Sequence, residues 1–370
     1  MKVFLQSKMV LLLIFMSGTV VISNAQTVTT PRPSPKATLT QRIGLIDVSI
    51  QYSRPSVIRG NNDRTGQIWG VQVPYGLASN SFGNQEPMPW RAGANENTIF
   101  STTGPIQVEG QALAAGSYGL HMIPQENGTV TLIFSSNTSS WGSFWYEKSE
   151  DVMRLDVQME DAPFTNVLTY EFTDLTNSSG TLALIWENKQ IPIQIACEQE
   201  TILQSFRDEL RGVAGFGWRG KLSAAQYCFQ NNMNHEEAIE WVNASIADTK
   251  NAQNLSVKAG LLFQNGQKEE GIKVADEAAE MANLQQLNFL GYQMLGAGEV
   301  DRAIGYFKLN IKNNPTDANA HDSLGEAYMA KGENKKAIKE FQKCLSMNPP
   351  KFVRDNSIKN LKTLGVDYES

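Results

Sequence analysis

Two segments of this chain can be laid over each other without a gap: NFLGYQMLGAGEVDRAIGYFKLNIKNNP, from Asn288, and DSLGEAYMAKGENKKAIKEFQKCLSMNP, from Asp322. Gly291 falls on Gly325, Gly298 on Gly332, Ala303 on Ala337, Phe307 on Phe341 and Pro315 on Pro349, each pair 34 residues apart. Each position has a mechanical role. Small Gly325 and Ala337 let two helices approach, Phe341 fills the space between them, and Pro349 cannot continue a helix and so turns the chain. A fixed interval of this length means stacked supersecondary units, each completing the core of its neighbour.

The length and residue pattern resemble the tetratricopeptide repeat. Two weaker copies precede the pair: SVKAGLLFQNGQKEEGIKVADEAAE, with Gly266 and Gly271 at the matching interval, and AAQYCFQNNMNHEEAIEWVNASI, with Ala238 and Ile239 in place. The expectation is an all-α solenoid of four helix pairs over residues 221–350, closed by a polar capping helix and tail over 351–370. Residues 196–220 read as a connector, with Ile202, Leu203, Phe206 and Leu210 at helical spacing followed by the Gly-rich GVAGFGW.

The first half follows another grammar. Ile46, Val48, Ile50 and Tyr52 alternate with Asp47, Ser49 and Gln51, and the same period of two recurs at Tyr118–Met122, Val130–Phe134, Met153–Met159, Leu168–Phe172, Leu182–Trp186 and Ile191–Ile195. Short alternating runs separated by turn residues predict an antiparallel β-sandwich or barrel-like domain over residues 37–195. Gly116 and Asn127-Gly128 read as hairpin turns, and Pro192 as the mark of an edge strand. The whole chain is thus expected to be multidomain, β then α.

The N-terminus reads as a signal peptide over residues 1–25. Lys2 and Lys8 precede an apolar run from Met9 to Ile22, too short to span a bilayer, and Ser23 and Ala25 supply small residues for cleavage after Ala25. A Pro-rich linker, 26–36, follows. The expected destination is export to the periplasm or beyond, with no stable membrane insertion. Of 370 residues, 19% are charged and the formal net charge is −6, which offers no basic field for nucleic acid. The three cysteines, Cys197, Cys228 and Cys344, are widely spaced and form neither a disulfide framework nor a zinc motif. One Cys197–Cys228 bridge is conceivable in an oxidising compartment, with buried free thiols the preferred reading. No metal or cofactor is expected.

IGLIDVSIQYSRPSV (Ile43 to Val57), IWGVQVPYG (Ile68 to Gly76), PWRAGANENT (Pro89 to Thr98), VEGQALAAGSYGLHMIP (Val108 to Pro124) and LALIWENKQIPI together resemble the bacterial domain of unknown function 2911. The resemblance implies an exported β-rich domain and no assigned reaction. This chain departs from it by the longer segment LASNSFGNQEPMP between the PYG and WR motifs.

The stretch WRAGANENT, Trp90 to Thr98, is the densest polar motif. One reading is structural: Arg91 pairs with Glu96, Asn95 bonds nearby backbone, and Trp90 packs on the sandwich edge. The other is a ligand pocket in which Arg54, Trp90, Arg91, Asn95 and Glu96 converge on an acidic or sugar-like molecule. Glu96 and His121 are the candidates for general acid or base. No GxSxG, HExxH or phosphate-cradling loop occurs. His235 and His321 read as surface residues. Trp141, Phe144, Trp145 and Tyr146 read as sandwich core or a hairpin brace, or else as a stacking platform for sugars. The leading expectation is a binding or scaffold protein of the cell envelope whose repeat groove holds a protein or peptide, with a β-domain site for a small molecule or carbohydrate. The alternative is a hydrolase or carbohydrate-binding module built on Arg54, Arg91 and Glu96.

Overall fold

A computed structural model describes residues 30–367; the expected leader, its cleavage point and the first residues of the linker lie outside the described residues. The chain forms two compact units that divide between Glu198 and Gln199. The first holds strands β1 (Lys36–Ile43), β2 (Ile46–Ser53), β3 (Ile58–Arg59), β4 (Asn62–Asp63), β5 (Thr98–Thr102), β6 (Ile106–Val108), β7 (Gln111–Leu113), β8 (Gly116–Pro124), β9 (Thr129–Ser135), β10 (Asp151–Gln158), β11 (Glu160–Thr173) and β12 (Ser179–Ala196).

These strands build a six-stranded sheet, β1-β2-β5-β8-β9-β10, a four-stranded sheet, β11-β12-β6-β7, and the small ribbon β3-β4. All the pairings are antiparallel. The alternation read from sequence fixes which side is core: Ile46, Val48, Ile50 and Tyr52 are buried on β2, as are Tyr118, Leu120 and Met122 on β8 and Leu182, Leu184 and Trp186 on β12. A link between the sheets runs through Tyr52 and Tyr170, whose rings meet edge-on at 4.6 Å while the Tyr52 hydroxyl accepts the Tyr170 amide at 3.0 Å.

Two turn readings divide here. Asn127-Gly128 closes the β8–β9 hairpin, with Pro124 opposite Val130 and Gly128 at φ +87. Gly116, in contrast, starts a crossover, because β7 pairs with β6 in one sheet and β8 pairs with β5 and β9 in the other. The tight turn lies earlier, at Glu109-Gly110, both with positive φ. Nor does Pro192 mark an edge. It sits inside β12, between Gln190, the last residue paired to β11, and Ile195, the first paired to β6, so its missing N–H interrupts neither ladder.

The second unit contains α1 (Gln199–Leu210), α2 (Trp218–Gln230), α3 (His235–Asp248), α4 (Ala252–Gln264), α5 (Lys268–Glu280), α6 (Leu284–Gly296), α7 (Val300–Asn313), α8 (Ala318–Ala330), α9 (Asn334–Ser346) and α10 (Lys351–Thr363). Leu203 on α1 shares a core with Leu222, Ala225 and Cys228 on α2. Helices α2 to α9 form four antiparallel-type pairs, and Leu361 of α10 is buried in the same core as Phe341. The repeat residues do what their types allow. A Cβ on Gly325 would lie 2.6 Å from the Phe341 ring, and Gly291 faces Phe307 in the same way. Gly266, Gly298 and Gly332 hold φ near +75 to +79 at successive turns, where a side chain would be strained. Asn251, Asn283 and Asp317 cap α4, α6 and α8 by accepting backbone N–H groups of the first turn. Among the described residues no helix is long and apolar enough to cross a membrane.

The three cysteines are free and buried. Burial pushes the Cys228 thiol up to about 11, so at neutral pH it stays protonated and unreactive.

Candidate functional site

WRAGANENT is a tightly wound loop entering β5. Ala92 and Asn95 both take positive φ, and a Cβ on Gly93 would lie 2.8 Å from Thr98 Oγ1. The carbonyl of Ala92 accepts two buried hydroxyls, Tyr170 at 3.0 Å and Thr98 at 3.1 Å. The Trp90 indole N–H donates to Gly93 O at 3.2 Å.

The structure gives Arg54, Arg91 and Glu96 three separate sets of partners. Arg54 donates to Leu168 O at 2.9 Å and to Thr169 Oγ1 at 2.7 Å, tying the end of β2 to β11. Arg91 donates to Asn95 O at 2.6 Å and lies 4.7 Å over the Phe144 ring. Glu96 pairs with Arg32 rather than with Arg91, and it also accepts the Ser53 hydroxyl at 3.4 Å. The hydrogen bond from Arg32 holds the Glu96 carboxyl below its ordinary range. Asn95 donates to Ser34 O at 3.2 Å, and the Arg54 amide donates to Pro35 O at 2.9 Å. The Pro-rich segment around residues 32–35 is therefore bonded to the loop. Sequence offered no periodic signal for that contact.

His121 meets Ser143, not Glu96. Its Nδ1 is 2.8 Å from Ser143 Oγ, and both residues are buried. Burial, reinforced by the positive charge of Arg91, depresses the imidazole to about 4. The ring is neutral at pH 7 and holds the 140–147 segment against β8. The aromatics of that segment are not core. Trp141 and Trp145 are 48% and 44% exposed, and Phe82, 62% exposed, meets Phe144 and Trp145 edge-on at 5.4 and 5.9 Å. Phe82 belongs to the longer LASNSFGNQEPMP segment, which is fastened there by Asn80 to Phe144 O and Asn84 to Tyr146 O, both at 2.9 Å. In the helical unit, His321 is mostly covered and bonds Glu340 at 2.7 Å, which corrects its reading as a surface residue.

Of the expected ligand-binding residues, Trp90 lines an open cleft of about 360 Å³. Its other walls come from Pro33 and Ser34, from Pro55, Ser56, Arg59, Asn62 and Arg64 around the β3–β4 ribbon, and from Trp186 of β12. Trp90 and Trp186 lie nearly parallel, 14° apart with centroids at 6.3 Å, and Trp69 meets both edge-on. The indole N–H groups of Trp69 and Trp186 are buried with no partner among the described residues. A buried donor left unpaired costs roughly 1–3 kcal/mol. Arg64 donates to Gln72 at 3.2 Å and to Ser56 O. Arg59, Arg64 and Trp186 escaped the sequence reading because no motif or period links positions so far apart.

The helical unit carries a second opening, about 280 Å³, along its first three pairs. Gln226 and Phe229 of α2, Gln253 of α4, and Gln286 and Phe289 of α6 line it, and no charged side chain does. Phe229 and Phe289 meet edge-on at 6.1 Å. Among the described residues no group of three His, Cys, Asp or Glu is placed to hold a metal ion.

Residues 34–195 match the family described as "Protein of unknown function (DUF2911)", and residues 318–351 match the tetratricopeptide repeat. Over 77 residues the chain is 34% identical to Superkiller complex protein 3 of Mus musculus, a stretch that makes up 21% of this chain and 5% of that protein. Among solved structures, a MamA protein aligns at 22% identity and a TM-score of 0.33, covering 40% of this chain and 81% of that one. YrrB, described as a TPR protein with an unusual peptide-binding site, aligns at 17% identity and a TM-score of 0.33, covering 43% and 83%. The chain therefore carries a DUF2911 domain at residues 34–195, followed by C-terminal tetratricopeptide repeats.

Proposed function

We propose that this chain is an exported binding protein of the cell envelope that docks a partner protein through its helical repeats and holds a small ligand in its β unit. The observation that carries the docking role is the uncharged groove across α2, α4 and α6. Its glutamine amides can each donate to and accept from an extended peptide backbone, and Phe229 and Phe289 offer apolar surface for the side chains between. Neither charge sign lines that groove, so a neutral or mixed peptide suits it better than a strongly acidic or basic one. For the β unit, the support is the cleft walled by Trp90 and Trp186, whose volume falls in the range of small-ligand sites.

Selection of a random peptide display library on the full mature chain tests the docking role. Enriched peptides should bind at least tenfold more weakly to a Phe229→Ala, Phe289→Ala double variant, and equally to a Trp145→Ala control. Peptides indifferent to the double variant would remove the groove from the mechanism. Export is tested separately, by mass spectrometry of the envelope fraction. The proposal requires a mature N-terminus at Gln26, and recovery of the uncleaved chain in the cytoplasm would end it.

A further inference from the structure

The cleft beside Trp90 has a chemical character that narrows what it would hold. The β unit is acidic, with eight basic against fifteen acidic residues between 37 and 195, a net of −7. Yet two of those eight bases, Arg59 and Arg64, line this one cleft, and no Asp or Glu does. The other arginines of the unit are engaged: Arg32 by Glu96, Arg42 by Asp47, Arg154 by Asp151, and Arg54 and Arg91 by carbonyl oxygens. The Arg59 side chain alone among them has neither a hydrogen bond nor an ion pair within the described residues. It lies on the β3–β4 ribbon, opposite Asn62, and is exposed. Arg64 uses two of its donors on Ser56 and Gln72, which fixes the guanidinium in the wall.

The remaining walls mix the polar Ser34, Ser56, Asn62 and Gln72 with flat apolar surface. Trp90 and Trp186 stand nearly parallel, with Pro33, Pro55 and Val73 beside them. Trp186 is nine-tenths buried or more, and its indole N–H has no acceptor among the described residues. A free guanidinium and a second one held in place both call for acceptor oxygens. The indole and proline faces call for a planar body.

We propose that this cleft binds a small organic anion: a carboxylate or phosphate held by Arg59 and Arg64, attached to a flat ring lying against Trp90 and Trp186. This rests on the small-ligand reading of the β unit and narrows it to one ligand class. Arginine rather than lysine suits the task, since its planar fork meets two oxygens of a carboxylate or phosphate at once.

Isothermal titration of the full chain with phenyl phosphate, benzoate, benzamide, inorganic phosphate and maltose tests it. Phenyl phosphate or benzoate should bind, at least tenfold more tightly than benzamide or inorganic phosphate. Affinity should fall tenfold or more in Arg59→Gln, which loses no internal contact and therefore folds. Rising salt should weaken the wild-type complex and have little effect on whatever binding the variant keeps. Trp145→Ala, on the other aromatic patch, should bind as the wild type does. Equal binding of benzamide or maltose would overturn the anion and keep a small-ligand site. Equal binding of inorganic phosphate alone would overturn the flat body. An unaltered affinity in Arg59→Gln would remove the cleft, and no binding by any probe would sink both the inference and the reading beneath it.

Discussion

The two units bury their cores in different ways. In the helical unit the partners are near in sequence: Gly325 admits Phe341 sixteen residues later, and Gly291 admits Phe307 at the same interval. In the β unit they are far apart, as where the Tyr170 amide donates to Tyr52, 118 residues away. A stack of local units can lose one member and keep the rest. A sandwich whose sheets are stitched by distant segments cannot. The same loss of buried volume should therefore read out differently in each half.

Paired cavities test this most strongly. Phe134→Ala and Phe341→Ala each remove a fully buried ring and should each cost roughly 3–5 kcal/mol. By hydrogen exchange, the first should strip protection from β1 through β12 together, and the second only from α8 to α10. Spread of the second as far as α2 would break the comparison.

The next effect is one of pH and belongs to the β unit. His121 titrates near 4 in the folded state and near 6.5 when unfolded. Its folded value is depressed, so the unfolded chain takes up the proton first as pH falls. Stability is then complete above about pH 6.5 and declines between there and pH 4, by about 3 kcal/mol in all. Denaturant titrations at pH 7 and 4.5 should show this loss in the wild type and a much smaller one in His121→Gln.

A smaller, local effect belongs to the helical unit. Asn251 accepts the amides of Gln253 and Asn254 at the start of α4, and Asn251→Ala should cost about 1 kcal/mol, confined by hydrogen exchange to α4 and its neighbours. The smallest sits on the sandwich surface. Arg42 and Asp47 form a bidentate pair in full solvent, and Arg42→Gln should leave the melting temperature unchanged within error.

The same contrast explains what could be read in advance. The helix pairs were legible because the spacing of Gly, Ala, Phe and Pro is itself the geometry of the stack. Strand faces were legible because alternation sets burial. Connections between strands were not: Gly116 looks like a hairpin residue, and only the pairing of β7 with β6 shows it starting a crossover. The polar loop was half legible. Asn95 was expected to bond backbone and does, but Glu96 took Arg32 from a segment that carries no period at all. The cleft was least legible, since its arginines, its prolines and Trp186 come from three separate stretches of chain.

The recurrent fit of a phenylalanine ring into a glycine notch makes the rear of this molecule modular. An inserted copy of the 34-residue unit would find ready-made faces above and below it, lengthening the stack by one pair, roughly the 8–10 Å spacing of packed helices for each helix added. Gene duplication could therefore adjust the reach of this half in whole steps, leaving the Trp90 cleft of the other half unaltered in sequence.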